Sequence, residues 1–110
     1  MKNLEQIRAK DAFEAANNSA YKFNGKNGGD IVKKVPTMIL ENGLLAALAF
    51  SLETGKGYED VFKACITHLG KNLSLDKFLE ELINNDSSNL RAVTAEIMAY
   101  LNYLRRFANK

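Results

Sequence analysis

The last quarter of the chain constrains the fold more than any other stretch. Leu90, Val93, Ile97, Leu101, Leu104 and Ala108 recur at three- and four-residue steps, with Tyr100 and Phe107 on the flank of the same stripe. That spacing is one face of an α-helix. Asp86, Ser87 or Ser88 stands where its N-cap belongs. At 1.5 Å per residue the helix is roughly 30 Å long. A stripe of this width needs a covering surface, and 110 residues provide one core to supply it. A single domain over residues 1–110 is expected.

The covering elements read as helices too. No stretch combines β-branched enrichment with alternation, and the valines are only Val32, Val35, Val61 and Val93. The expected fold class is all-α, a compact bundle of five to six helices. A first helix over residues 4–21 rests on the propensity of Ala, Glu, Lys and Gln. Residues 24–29 hold three glycines and two asparagines and form a loop, after which Asp30 is placed to cap the next helix. Pro36 removes a hydrogen bond about one turn later and Asn42-Gly43 is a second weak point, so two abutting or kinked helices are expected over residues 30–52. Residues 44–50 are apolar nearly all round, the pattern of a central buried helix. Tyr58, Phe62, Cys65, Ile66 and Leu69 mark an amphipathic helix that Gly70 stops. Ser74 caps a short helix with Leu75, Phe78, Leu79 and Leu82 on its apolar side. Leu48, Phe50, Ile97, Leu101 and Leu104 are expected to be buried together.

Several function classes are disfavoured. One cysteine allows no internal disulfide, as suits a reducing compartment. One histidine and one cysteine do not make a four-ligand zinc site. Met1-Lys2-Asn3 runs into charged residues, unlike a signal peptide. The most apolar run, residues 43–50, is far short of the roughly 20 residues that cross a bilayer. A cytoplasmic protein with no membrane partner is therefore expected. Cys65 and His68 could share a helix face as nucleophile and base. No orienting group or oxyanion site accompanies them, so a buried core cysteine beside a partly exposed histidine is the preferred reading. Gly25-Lys26 and Gly55-Lys56 lack the spacing of a phosphate-binding loop. Glu59-Asp60 and Glu80-Glu81 are helix neighbours that point about 100° apart, as on a solvated face. No cofactor, metal site or catalytic residue is expected, and the chain is not expected to be an enzyme.

The charge distribution is more informative than its total. Fifteen basic and thirteen acidic residues give a net charge of +2. From Ser87 onward the charges are Arg91, Arg105, Arg106 and Lys110 against Glu96 alone. On a helical wheel Arg91, Asn102, Arg105 and Arg106 gather opposite the apolar stripe. Lys33 and Lys34 precede Pro36. Such groups are solvated surface by default, or contacts to phosphate, where Arg offers paired donors and Lys a point charge.

Two segments resemble a known family. Val32-Lys33-Lys34-Val35-Pro36-Thr37-Met38-Ile39, followed by Asn42-Gly43-Leu44-Leu45 and Leu48-Ala49-Phe50, is similar to a K-L-P-x-M-I…N-G-L…L-A-F segment. Asp86-Ser87, Arg91, Thr94, Glu96 and Leu101-Asn102-Tyr103-Leu104-Arg105-Arg106-Phe107-Ala108 resemble a D-S-x-x-Y-R-x-A-T-x-E…L-N-W-L-K-R-F-A segment. Asn3-Leu4-Glu5-Gln6 with Arg8-Ala9 fits the same N-terminus. The family is the small helical subunit of the type III-B CRISPR effector, the Cmr complex. Leu90 stands where Tyr is usual, Val93 for Ala, Tyr103 for Trp and Arg105 for Lys; each keeps the apolar or cationic character. Residues 24–29 and 55–84 carry no strong match, so nothing is transferred there.

The resemblance implies a non-catalytic subunit in antiviral defence. It would stack in several copies beside the backbone subunits and help hold guide RNA and target RNA. Its implied partners are the other Cmr subunits, further copies of itself and both RNAs. Lys33, Lys34, Arg91, Arg105 and Arg106 are the candidate nucleic-acid-binding residues, a choice that comes from the wheel and the charge pattern. The alternative is a structural spacer that contacts neighbouring subunits and little RNA.

Overall fold

Asn3 and Gln6 start the first helix by reciprocal hydrogen bonds. The Asn3 N–H donates to Gln6 Oε1 and the Gln6 N–H donates to Asn3 Oδ1, both at 2.9 Å, which satisfies two of the donors a helix start leaves unpaired. A computed structural model describes residues 2–23, 31–55 and 57–108. Among these residues there are six helices and no strand: α1 (Leu4–Ala16), α2 (Ile31–Asn42), α3 (Leu44–Thr54), α4 (Gly57–His68), α5 (Leu75–Asn84) and α6 (Ser87–Ala108). The all-α single-domain expectation holds. The loop at residues 24–29 and the cap at residue 30 lie outside the described residues.

α1 ends five residues before the expected boundary. The Asn17 backbone N–H and side-chain amide both donate to the Phe13 carbonyl, at 3.2 and 2.9 Å. Such local side-chain bonds compete with helix continuation and favour a cap. Residues 17–21 keep helix-friendly composition only in part, and propensity alone carried the expectation too far.

Between α2 and α3 the break falls at Gly43 and not at Pro36. α2 runs through Pro36 without interruption. Gly43 has φ of +89° and ψ of 162°, a region essentially confined to glycine that costs an L side chain on the order of 1–3 kcal/mol. Its N–H closes α2 on the Ile39 carbonyl at 2.8 Å, while its carbonyl accepts from the Ala47 N–H of α3 at 3.1 Å. The two helices therefore abut across one residue.

α3 is not the central helix. Its buried face is Leu44, Ala47, Leu48 and Ser51, while Ala46, Ala49 and Phe50 are exposed. Phe50 is 42% exposed and rests edge-on against Tyr58, so its expected place in the core is corrected. The central element is α4, which packs against all five other helices. Gly57, Ala64 and Cys65 on its buried faces are small enough to let neighbouring backbones approach. Val61 and Phe62 fill the space between, both fully buried.

The final helix behaves as its periodicity requires. Asp86 caps it, accepting from the Asn89 N–H at 2.8 Å. Ile97, Tyr100, Leu101 and Leu104 are buried in one core with Leu48, Val61, Phe62 and Phe78. α6 lies chiefly on α1, and also on α2 and α4. Ser74 caps α5 through the Lys77 N–H at 3.3 Å, and Leu75, Phe78 and Leu82 face inward.

Candidate functional site

α6 has two working faces. The inward flank carries the only acidic residue of residues 87–110, Glu96, and it is not neutralising the arginines beside it in sequence. Arg8 of α1 grips it with two bonds: Nε to Oε2 at 2.9 Å and Nη2 to Oε1 at 2.6 Å. Glu96 Oε2 also lies 2.7 Å from His68 Nε2. The other ring nitrogen, His68 Nδ1, lies 2.5 Å from Asp11 Oδ2. The imidazole stacks flat on Tyr100, centroids 4.3 Å apart at 10°.

This network joins three helices that the sequence separates. Arg8 and Asp11 belong to α1, His68 to α4, and Glu96 and Tyr100 to α6. It supplies what α1 lacks in apolar surface. α1 buries only Ala12 and Ala15, and exposes Leu4, Ile7 and Phe13. The Arg8 hydrogen bonds hold the Glu96 carboxyl down to about 2, against an opposing effect of partial burial and with further help from His68. The same bond raises the Arg8 guanidinium above its usual value. Tyr103 and Glu5 add a rim contact, the phenol donating to Glu5 Oε2 at 2.8 Å.

The sequence expected a buried Cys65 and a partly exposed His68. Cys65 is 0% exposed, and burial pushes its thiol up, away from the nucleophilic thiolate. The His68 side chain is only 4% exposed, because two carboxylates and the Tyr100 ring enclose it. No hydrogen bond joins it to Cys65 among the described residues. The network's partners are 28, 57 and 88 residues apart in the chain, beyond any local pattern. The available signals were that Arg8 is the only arginine before Arg91 and that His68 is the only histidine.

The outward face of α6 carries the cations. Arg91, Arg105 and Arg106 are all exposed, as the wheel required. They do not form one continuous strip. Arg105 and Arg106 sit together in the last turn, where cations also oppose the negative end of the helix dipole. Arg91 lies near the other end, roughly 21 Å away along the axis at 1.5 Å per residue. Lys33 and Lys34 are exposed on α2 and line a groove with Thr37, Met38 and Tyr58 that includes none of the arginines. The five candidate residues are thus all at the surface, with only Arg105 and Arg106, and Lys33 and Lys34, brought together as pairs.

Six helices around one core, an internal ion network and a cationic outer helix define a small all-α domain. Its fold is that of a CRISPR-associated Cmr5 family protein from Thermus thermophilus, with a TM-score of 0.79 and 24% identity over 99% of this chain and 96% of that one. The family model for the CRISPR-associated protein Cas_Cmr5 matches residues 4–110, and the chain belongs to that family. Cmr5 is a small subunit of the type III-B Cmr complex. No curated protein matches the chain. Among the described residues no helix is long and apolar enough to cross a membrane.

Proposed function

We propose that this Cmr5-family chain is a non-catalytic subunit of a type III-B effector in antiviral defence. It stacks with further copies of itself beside the backbone subunits and helps hold guide RNA and target RNA through sequence-independent phosphate contacts. One observation carries the proposal. Arg91, Arg105, Arg106 and Lys34 have no carboxylate partner among the described residues. By contrast Arg8, Lys10, Lys63, Lys71 and Lys77 each face a carboxylate at 2.6 to 3.9 Å. Glu96, the only acidic residue of residues 87–110, is turned inward to Arg8 and His68. The outer face therefore keeps its charge for a partner. An Arg fork donates to two oxygens of one phosphate, and such contacts position a nucleic acid without reading its bases.

The test is charge reversal in the assembled complex. Arg105→Glu with Arg106→Glu should weaken retention of target RNA for any matched guide, while the far-ultraviolet circular dichroism stays helical because the core lies on the other face. Unchanged retention in a complex that assembles normally refutes the phosphate contacts.

A second reading, a spacer that touches protein rather than RNA, is favoured by the exposed apolar groups. Leu40 is 76%, Ile83 59% and Phe50 42% exposed. On that reading Leu40→Ser with Phe50→Ser loses incorporation into the complex, and the arginine variants do nothing.

A further inference from the structure

Three aromatic rings meet where α1 crosses the last turns of α6. Phe13 is the most exposed aromatic residue among those described, at 54%. Its ring meets Phe107 at a right angle, with centroids 5.6 Å apart. Phe107 in turn lies near Tyr103, centroids 6.5 Å apart at 26°. The Tyr103 hydroxyl donates to Glu5 Oε2 at 2.8 Å, which fixes that ring from the far side. The rings hold one another in place while more than half of Phe13 stays in water. The core does not account for Phe13. α1 buries Ala12 and Ala15, and Phe13 lies about 100° and about 160° round the helix from them.

Cations flank the cluster. Arg106 follows Tyr103 by three residues and is therefore its neighbour on the helix surface. Arg105 and Arg106 are both exposed, and neither has a carboxylate partner among the described residues. The nearby acidic groups are engaged: Glu5 by Tyr103, and Glu14, next to Phe13 in sequence, by Lys10 at 3.8 Å. Flat apolar surface beside unneutralised positive charge suits single-stranded nucleic acid, whose phosphates meet cations while its base faces stack on rings. One nucleotide brings both the opposite charge and the flat apolar face. Every base has such a face, so the contact tolerates any sequence.

We propose that Phe13, backed by Phe107 and Tyr103, is a stacking platform for an unpaired RNA base whose phosphate meets Arg106. The inference rests on the RNA-holding role proposed for the outer face of α6, and adds to it a contact with a base. Stacking needs an open base face, so the nucleotide is one left out of the guide–target pairing.

The experiment measures target RNA affinity of the assembled complex over a range of monovalent salt, together with the amount of this subunit incorporated. Three forms are compared with the wild type: Phe13→Leu, Phe13→Trp, and Arg105→Ala with Arg106→Ala. Phe13→Leu keeps an apolar contact for Phe107 at an exposed position and removes the ring. It should weaken binding at least about fivefold. The salt slope should stay as in the wild type, because a neutral ring displaces no counterions. Phe13→Trp keeps a flat ring and should retain wild-type affinity. The arginine variant should flatten the slope instead. Unchanged affinity in Phe13→Leu beside a flattened slope in the arginine variant overturns the stacking and leaves the phosphate contacts standing. An equal loss in Phe13→Leu and Phe13→Trp, or a Phe13→Leu subunit that fails to incorporate, also overturns it and makes the rings a protein contact. An arginine variant with unchanged affinity and slope overturns the phosphate contacts themselves, and this inference with them.

Discussion

Replacing Glu96 by Gln removes the charge at the centre of the α1–α4–α6 network while keeping the shape of the side chain. Glu96 accepts from Arg8 and His68 at once, and its carboxyl is held down from an ordinary 4.5 to about 2. Each tenfold in proton affinity is about 1.4 kcal/mol, which gives about 3 kcal/mol for the full difference. Arg8 and Glu96 keep 23% and 22% of their side chains in water, and water screens the pair. A loss of about 2 kcal/mol at neutral pH is therefore expected for Glu96→Gln. The sign follows from the direction of the change. A depressed carboxyl contributes stability that is fully present above its unfolded value and is lost as the pH falls through its folded value. The wild type should thus lose its advantage between about pH 4.5 and pH 2, and the two proteins should converge there. Urea midpoints of both proteins across this range provide the assay. The other carboxylates titrate in both, so the difference isolates Glu96. Curves that run parallel down to pH 2, or differ by less than about 0.5 kcal/mol at pH 7, would refute the reasoning.

Three further outcomes follow from the packing. Leu101→Ala deletes a side chain that is 0% exposed and should cost about 2–5 kcal/mol in chemical denaturation. Phe50→Ala removes a ring that touches Tyr58 at a centroid distance of 5.1 Å but faces solvent on its other side; it should cost about 1 kcal/mol, well below the 3–5 kcal/mol of a buried phenylalanine. Cys65 should resist a thiol reagent in the native protein and label at once in denaturant, because burial keeps it out of reach and protonated.

The parts of the fold that could be read from sequence are those whose causes are local. The α6 stripe and its Asp86 cap, and the Ser74 cap with Leu75, Phe78 and Leu82, depend on neighbours three or four residues away. The errors arose where the cause was distant or ambiguous. Residues 44–50 are apolar on every side, which says nothing about which side faces out; packing leaves Ala46, Ala49 and Phe50 in water. The central position went instead to α4, whose Gly57, Ala64 and Cys65 permit close approach. Helix propensity beyond Ala16 lost to the Asn17 bonds with the Phe13 carbonyl. The candidate cations were all visible as charges, and their exposure was correct. That Glu96 turns away from them could not be seen, because its partners Arg8 and His68 lie 88 and 28 residues off.

The central claim is that the outer end of α6 meets RNA phosphates, and the salt dependence of target binding tests it most directly. The assembled complex carrying Arg105→Ala and Arg106→Ala is compared with the unaltered complex over a range of monovalent salt. Each phosphate contact to a single strand contributes a slope of roughly −0.7 in log affinity against log salt. Two lost contacts should flatten the slope by somewhat more than one, with no dependence on target sequence. An affinity and a slope indistinguishable from the unaltered complex would contradict the account and leave these arginines as solvated surface.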